Sequence, residues 1–133
     1  MSDSADLLSP AAEPAWPHAA VLIVDDEQGM RHFLSRALAP RFGRVDAVDS
    51  AEAGRDLVAA HRYDLVILDI NMPDMNGIEV LRQMKEMRAD LPVILCSAYP
   101  EYKHDFCSWA SDDYVVKSAN LDELKAVVRK HLG

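Results

Sequence analysis

Three stretches of this chain are apolar at consecutive positions: Val21-Leu22-Ile23-Val24, Leu65-Val66-Ile67-Leu68 and Val93-Ile94-Leu95. An alternating pattern would describe a strand with one wet face. Unbroken, branched runs describe strands buried on both faces. Such strands sit in a parallel sheet covered by helices on each side, so helical crossovers must separate them.

The intervening sequence supplies those crossovers. Met30, Phe33, Leu34, Ala37 and Leu38 lie on one helical face, and Pro40 and Gly43 stop that helix. Ser50 N-caps a second helix through His61, with Ala53, Leu57 and Ala60 inward. Ile78 to Arg88 makes a third, burying Ile78, Leu81 and Met84, and Glu101 to Ala110 a short fourth. Asn120, with Glu123 three residues on, opens a last helix with a capping-box pattern and an apolar face of Leu121, Leu124 and Val128. The strands are Ala20 to Val24, Arg44 to Val48, Asp64 to Asp69, Pro92 to Ser97 and Asp113 to Val116. Five strands alternating with five helices through right-handed crossovers imply a three-layer α/β sandwich over residues 19–133. Residues 1–18 carry Pro10, Pro14 and Pro17 among Ala, Ser and acidic residues and read as a flexible N-terminal extension. Trp16 is expected to pack on the domain edge.

The 133 residues suit one domain with one continuous core. A net charge of −8 argues against a nucleic-acid partner and against anionic membrane surfaces. No apolar stretch approaches the roughly 20 residues that span a bilayer. The amino terminus lacks the basic start and apolar core of a secretion signal. Cys96 and Cys107 form no metal or redox spacing, and Cys96, inside an apolar run, reads as a small buried hydrophobe. A cytoplasmic protein is expected.

Polar residues end the apolar runs. Asp25 and Asp26 follow the first strand, Asp69 ends the third, Ser97 the fourth, and Lys117 follows the fifth. In an open α/β sheet ligands bind at the carboxyl ends of the strands, where the strand order reverses. Three carboxylates gathered there repel one another unless a cation joins them, and carboxylate oxygens suit Mg²⁺. An ammonium and a hydroxyl beside such a metal make a site for an oxygen-rich anion, with phosphoryl the obvious candidate. A carboxylate at the metal is then placed to attack, forming an acyl phosphate. Taken singly, each residue has a plain structural use as a helix cap, a turn former or a solvated strand-end charge. The combination carries the reading.

Asp25-Asp26, the stretch Leu68-Asp69-Ile70-Asn71-Met72-Pro73-Asp74-Met75-Asn76-Gly77, Ser97-Ala98 and Tyr114-Val115-Val116-Lys117 together resemble the receiver domain of two-component response regulators. The resemblance implies a flavodoxin-like fold with strand order 2-1-3-4-5. It implies that Asp69 accepts a phosphoryl group from a histidine kinase or a phosphotransfer protein. Asp26 and Asp69 are then direct Mg²⁺ ligands, with Mn²⁺ as a substitute; Asp25 acts largely through water and Asn71 through its backbone carbonyl. Lys117 pairs with Asp69 and afterwards with a phosphoryl oxygen. The Ser97 hydroxyl swings toward the phosphoryl group, Tyr114 is the switch aromatic that turns inward with it, and Ala98 leaves room and offers a backbone N–H. The implied role is a signalling switch rather than a turnover enzyme, acting through a downstream protein as a monomer or a weak phosphorylation-dependent dimer. The chain ends soon after the last helix, so no output domain is expected to follow unless the receiver is excised from a longer regulator.

Ser118 stands where most receivers have proline. A cis bond before serine would cost roughly 2.5–4 kcal/mol, so a trans Lys117-Ser118 peptide is expected. Tyr102, Phe106 and Trp109 fall on one face of the fourth helix, expected to pack as core, and the resemblance implies that Asn71 and Tyr99 hold the positions that gate the attacking water, with Tyr99 expected to shield an acyl phosphate. Two other classes compete. A haloacid-dehalogenase-type phosphatase needs a carboxylate two residues after the nucleophile, where this chain has Asn71. A flavin binder needs a phosphate-cradling loop where Asp25-Asp26-Glu27 would repel phosphate.

Overall fold

A computed structural model describes residues 16–69, 77–97, 113–117 and 122–132. Five strands, β1 (Trp16–Val24), β2 (Phe42–Val48), β3 (Leu65–Asp69), β4 (Val93–Ser97) and β5 (Asp113–Val116), form one sheet in the order β2-β1-β3-β4-β5. All four pairings are parallel. This is the flavodoxin-like order. The described helices are α1 (Gln28–Leu38), α2 (Ala51–Ala60), α3 (Gly77–Met87) and α4 (Asp122–Leu132), with a single 3₁₀ turn at Ala39–Arg41. The helix expected over 101–110 lies outside the described residues.

Strand alternation divides the core into two layers. Leu22, Val24, Val66, Leu68, Val93 and Leu95 face α2 and α3, where Val58, Val80, Leu81 and Met84 meet them. Val21, Ile23, Leu65, Ile67 and Ile94 face α1 and α4, against Leu34, Leu38, Leu124 and Val128. The three central strands are therefore buried on both faces, as their continuous apolar runs require.

Two inward faces differ from expectation. α2 buries Ala51, Gly54 and Val58, whereas Ala60 is exposed and Ala53 and Leu57 are half-buried. The cause is Gly54: a Cβ there would stand 2.8 Å from Val24 Cγ2, so the bare backbone lets α2 lie directly on β1. On α1 the buried stripe is Leu34, Ala37 and Leu38, while Phe33 flanks it at 37% exposure.

β1 begins at Trp16, before the expected start at Ala20. Trp16 pairs with Phe42, their ring centroids are 5.3 Å apart, and a register shift separates this pair from the regular ladder at Ala20. Trp16 thus packs on the domain edge. Asp64 ties β3 to the same region, since its carboxylate accepts the Ala20 N–H at 2.8 Å while its own N–H reaches the Ala20 carbonyl at 2.8 Å.

Candidate functional site

Register places the site. Val24 pairs with Leu68, Asp69 with Cys96 and Ser97 with Val116, so β1, β3, β4 and β5 end at one level and release Asp25, Asp69, Ser97 and Lys117 side by side. Asp25, Asp69 and Ser97 are almost fully buried. The main chain fixes both flanks. The Asp25 N–H donates to the Val48 carbonyl at 3.1 Å, and the Lys117 N–H donates to the Ser97 carbonyl at 2.6 Å. Asp25 also organises the entrance to α1: its Oδ1 accepts the Glu27 N–H at 2.9 Å, and its carbonyl accepts Arg31 Nη1 at 2.8 Å.

The Lys117 ammonium is the hub. Its Nζ lies 3.0 Å from Asp25 Oδ2, 3.2 Å from Asp69 Oδ2 and 2.6 Å from Glu27 Oε1. The lysine side chain is only 8% exposed, the two aspartates less, and Glu27 63%. Burial alone would lower the lysine pKa. The bonds to Glu27 and Asp25 and the charge of Asp69 outweigh burial and hold the ammonium well above its usual range. Beside it the Cys96 thiol is pushed up to about 12, first by burial and then by the Asp25 and Asp69 charges, with Lys117 opposing. A thiol in that state is not nucleophilic near neutral pH.

The oxygens of Asp25, Glu27 and Asp69 all lie within 4.8 Å of one another. Hard anionic oxygens at this spacing fit a divalent cation of the Mg²⁺ class, with water completing its shell. Asp26, expected as a direct ligand, is exposed beside this trio. Tyr114, expected as the switch aromatic, is buried at 1% exposure and packs with the α2/α3 layer. Asn71, Ala98, Tyr99 and Ser118 lie outside the described residues. Sequence reasoning missed Glu27 as a lysine partner. The available signal was its position directly after two acidic residues at a strand end.

Residues 21–129 match the family model described as the response regulator receiver domain. Response regulator ArlR of Staphylococcus aureus is 34% identical over 110 residues, covering 82% of this chain and 50% of that protein. The chain thus spans about half the length of the curated relatives it matches. Among solved structures, response regulator TrrA of Thermotoga maritima in complex with Mg²⁺-BeF is 41% identical with a TM-score of 0.80, covering 86% of this chain and 99% of that one. The complex of histidine kinase ThkA with TrrA matches through TrrA at 40% identity and a TM-score of 0.79, with the same coverage. The chain belongs to the response regulator receiver domain family.

Proposed function

We propose that this domain is a phosphoacceptor switch in two-component signalling, in which Asp69 takes a phosphoryl group from a histidine kinase or a phosphotransfer protein. The carrying observation is the Lys117 ammonium held 3.0 and 3.2 Å from two almost fully buried strand-end carboxylates, Asp25 and Asp69. The solved complexes of the relative TrrA with Mg²⁺-BeF and with histidine kinase ThkA support the same reading.

Asp25, Asp26 and Asp69, with the Asn71 carbonyl, would hold Mg²⁺ or Mn²⁺. Bound there, the cation supplies charge neutralisation for the oxygens of the transferring group. An Asp69 oxygen attacks phosphorus, the P–N bond of a phosphohistidine breaks, and the imidazole leaves with the electron pair. Lys117 loses its pairing with Asp69 and takes up a phosphoryl oxygen. The Ser97 hydroxyl, at the tip of β4, would donate to another, and the family resemblance gives the Ala98 N–H a further phosphoryl contact. Tyr114, which pairs with Leu95 on β4, would carry the Ser97 movement to a protein-binding surface. The product is a conformational state, not a released small molecule. The proposal includes a cytoplasmic setting, a downstream protein partner, and a monomer or weak phosphorylation-dependent dimer. The proposal also divides the chain into an N-terminal extension, residues 1–18, and a receiver domain, residues 19–133.

Incubation with a small acyl phosphate donor and Mg²⁺, followed by intact mass and peptide mapping, tests this. One added phosphoryl group on Asp69, absent without the cation and absent in Asp69→Asn, is the expected result. An unchanged mass, or modification at another residue, refutes the assignment.

A further inference from the structure

Glu27 has a place at this centre that the reaction outlined above leaves unused. An ammonium has three N–H donors, and Lys117 directs them at three carboxylates. Two of these, Asp25 and Asp69, are buried and anchored at strand ends; the third, Glu27, is 63% exposed and makes the shortest contact at 2.6 Å. A divalent cation held at Asp25 and Asp69, directly or through water, would compete for the same carboxylates and repel the ammonium. The Lys117 main chain is anchored by its N–H bond to the Ser97 carbonyl, so the ammonium can move only within the reach of its own side chain. It needs an acceptor within reach of its present position.

Resting on the reading of the site as a cation-dependent phosphoacceptor centre, we propose that Glu27 is a positioning residue that keeps the Lys117 ammonium when a divalent cation occupies the Asp25 and Asp69 oxygens. Three arguments support it. The Glu27 main chain is fixed to the site, since its N–H donates to Asp25 Oδ1 at 2.9 Å, while its carboxylate projects into solvent and can follow the lysine. Charge agrees in direction: Asp25, Glu27 and Asp69 against one ammonium leave an excess of two negative charges, to which the neighbouring Asp26 adds, so a divalent cation is attracted while the lysine stays. Finally, Glu27 occupies the N-cap position of α1 without making a side-chain cap bond, so its carboxylate is committed to Lys117 rather than to the helix. Charge-assisted bonds of this length are strong for their kind, yet an exposed partner exchanges readily.

The test is a double-mutant cycle on Mg²⁺ affinity, read by calorimetry with Glu27→Gln, Lys117→Met and the pair. Glu27→Gln is expected to weaken Mg²⁺ binding up to roughly fivefold at low ionic strength, less at high salt. In the Lys117→Met background the same substitution should have a clearly smaller effect, because no ammonium then needs an alternative acceptor. Equal effects in the two backgrounds would make Glu27 a direct ligand or a mere background charge and overturn the proposal. A second readout leaves Lys117 in place: labelling by an amine-reactive reagent with peptide mapping. Mg²⁺ should leave Lys117 protected in the native protein and raise its labelling in Glu27→Gln; identical labelling in both overturns the proposal. If the native protein binds no Mg²⁺ at all, the reading of the site fails and this inference with it. Binding without coupling removes the inference alone.

Discussion

Replacing Lys117 by methionine isolates the electrostatic core of the site, because methionine keeps an apolar stem while deleting the charge. In the native protein the ammonium sits between Asp25 and Asp69, whose side chains are 3% and 2% exposed. Removing one partner of a buried ion pair leaves uncompensated buried charge and costs roughly 3–5 kcal/mol. The Glu27 contact adds little to that figure, since solvent screens an exposed carboxylate. A loss of this size is a large share of the 5–15 kcal/mol that typically holds a domain of about this size together. With a urea m-value of about 1.5 kcal/mol/M, the unfolding midpoint in chelator should fall by about 2–3 M. Mg²⁺ should recover part of the loss by replacing the missing positive charge, and at a hundredfold excess over its Kd it contributes roughly 2.7 kcal/mol by linkage. The cation should therefore stabilise Lys117→Met more than the native protein, as followed by far-ultraviolet circular dichroism with and without Mg²⁺. A loss under about 1 kcal/mol in chelator, or a larger Mg²⁺ increment in the native protein, would refute the idea that this lysine compensates buried carboxylates.

Two further outcomes test the frame around the site. A Cβ at Gly43 would stand 2.2 Å from the Pro17 carbonyl oxygen, so Gly43→Ala must push the start of β1 off β2; it should cost roughly 1–3 kcal/mol and loosen Trp16 from Phe42. Unchanged stability and an unchanged near-ultraviolet aromatic signal would contradict that. Asp113 binds Lys130 at 3.0 Å and His131 at 3.1 Å, tying the last turn of α4 to the start of β5. Burial pushes the Asp113 carboxyl up, but the bonds from Lys130 and His131 outweigh it, and the net value lies below the ordinary one. A carboxyl depressed by folding contributes stability above its unfolded pKa of about 3.9, and that contribution is lost as pH falls through the lower folded value. The stability difference between the native protein and Asp113→Asn should therefore hold from neutrality to about pH 4.5 and shrink below it; a difference that persists unchanged at about pH 2.5 would refute the tie.

What the sequence disclosed and what it hid follow from one distinction. A strand buried on both faces needs apolar side chains at every position, so Val21 to Val24 and Leu65 to Leu68 announced themselves, and the acids that ended them marked the chemistry. Helix faces are set more weakly. On α2 the face that packs is Ala51, Gly54 and Val58, and its decisive member has no side chain to register as apolar. The stripe Ala53, Leu57 and Ala60 looks equally good by spacing and lost because the absence of a Cβ, rather than greasiness, let the backbones approach.

Glu27 was hidden for the converse reason. An acidic residue opening a helix has a sufficient local explanation in the helix dipole, which masked the weak signal of its place beside the crevice where a lysine 90 positions away was expected. That meeting is made by topology: β5 reaches the Asp25 end of the sheet only because β3 and β4 intervene in register. The same topology explains how Asp25 and Asp26, neighbours in sequence, part company. Asp25 still follows the strand direction and turns into the sheet crevice, with its N–H on the Val48 carbonyl, whereas Asp26 is exposed one residue on. Lys117 therefore meets Asp25 and Glu27, two residues apart, as well as Asp69 at the end of β3. A cation entering there competes with the ammonium for two acceptors and leaves it the third, which is the arrangement that lets both positive charges serve one incoming anion.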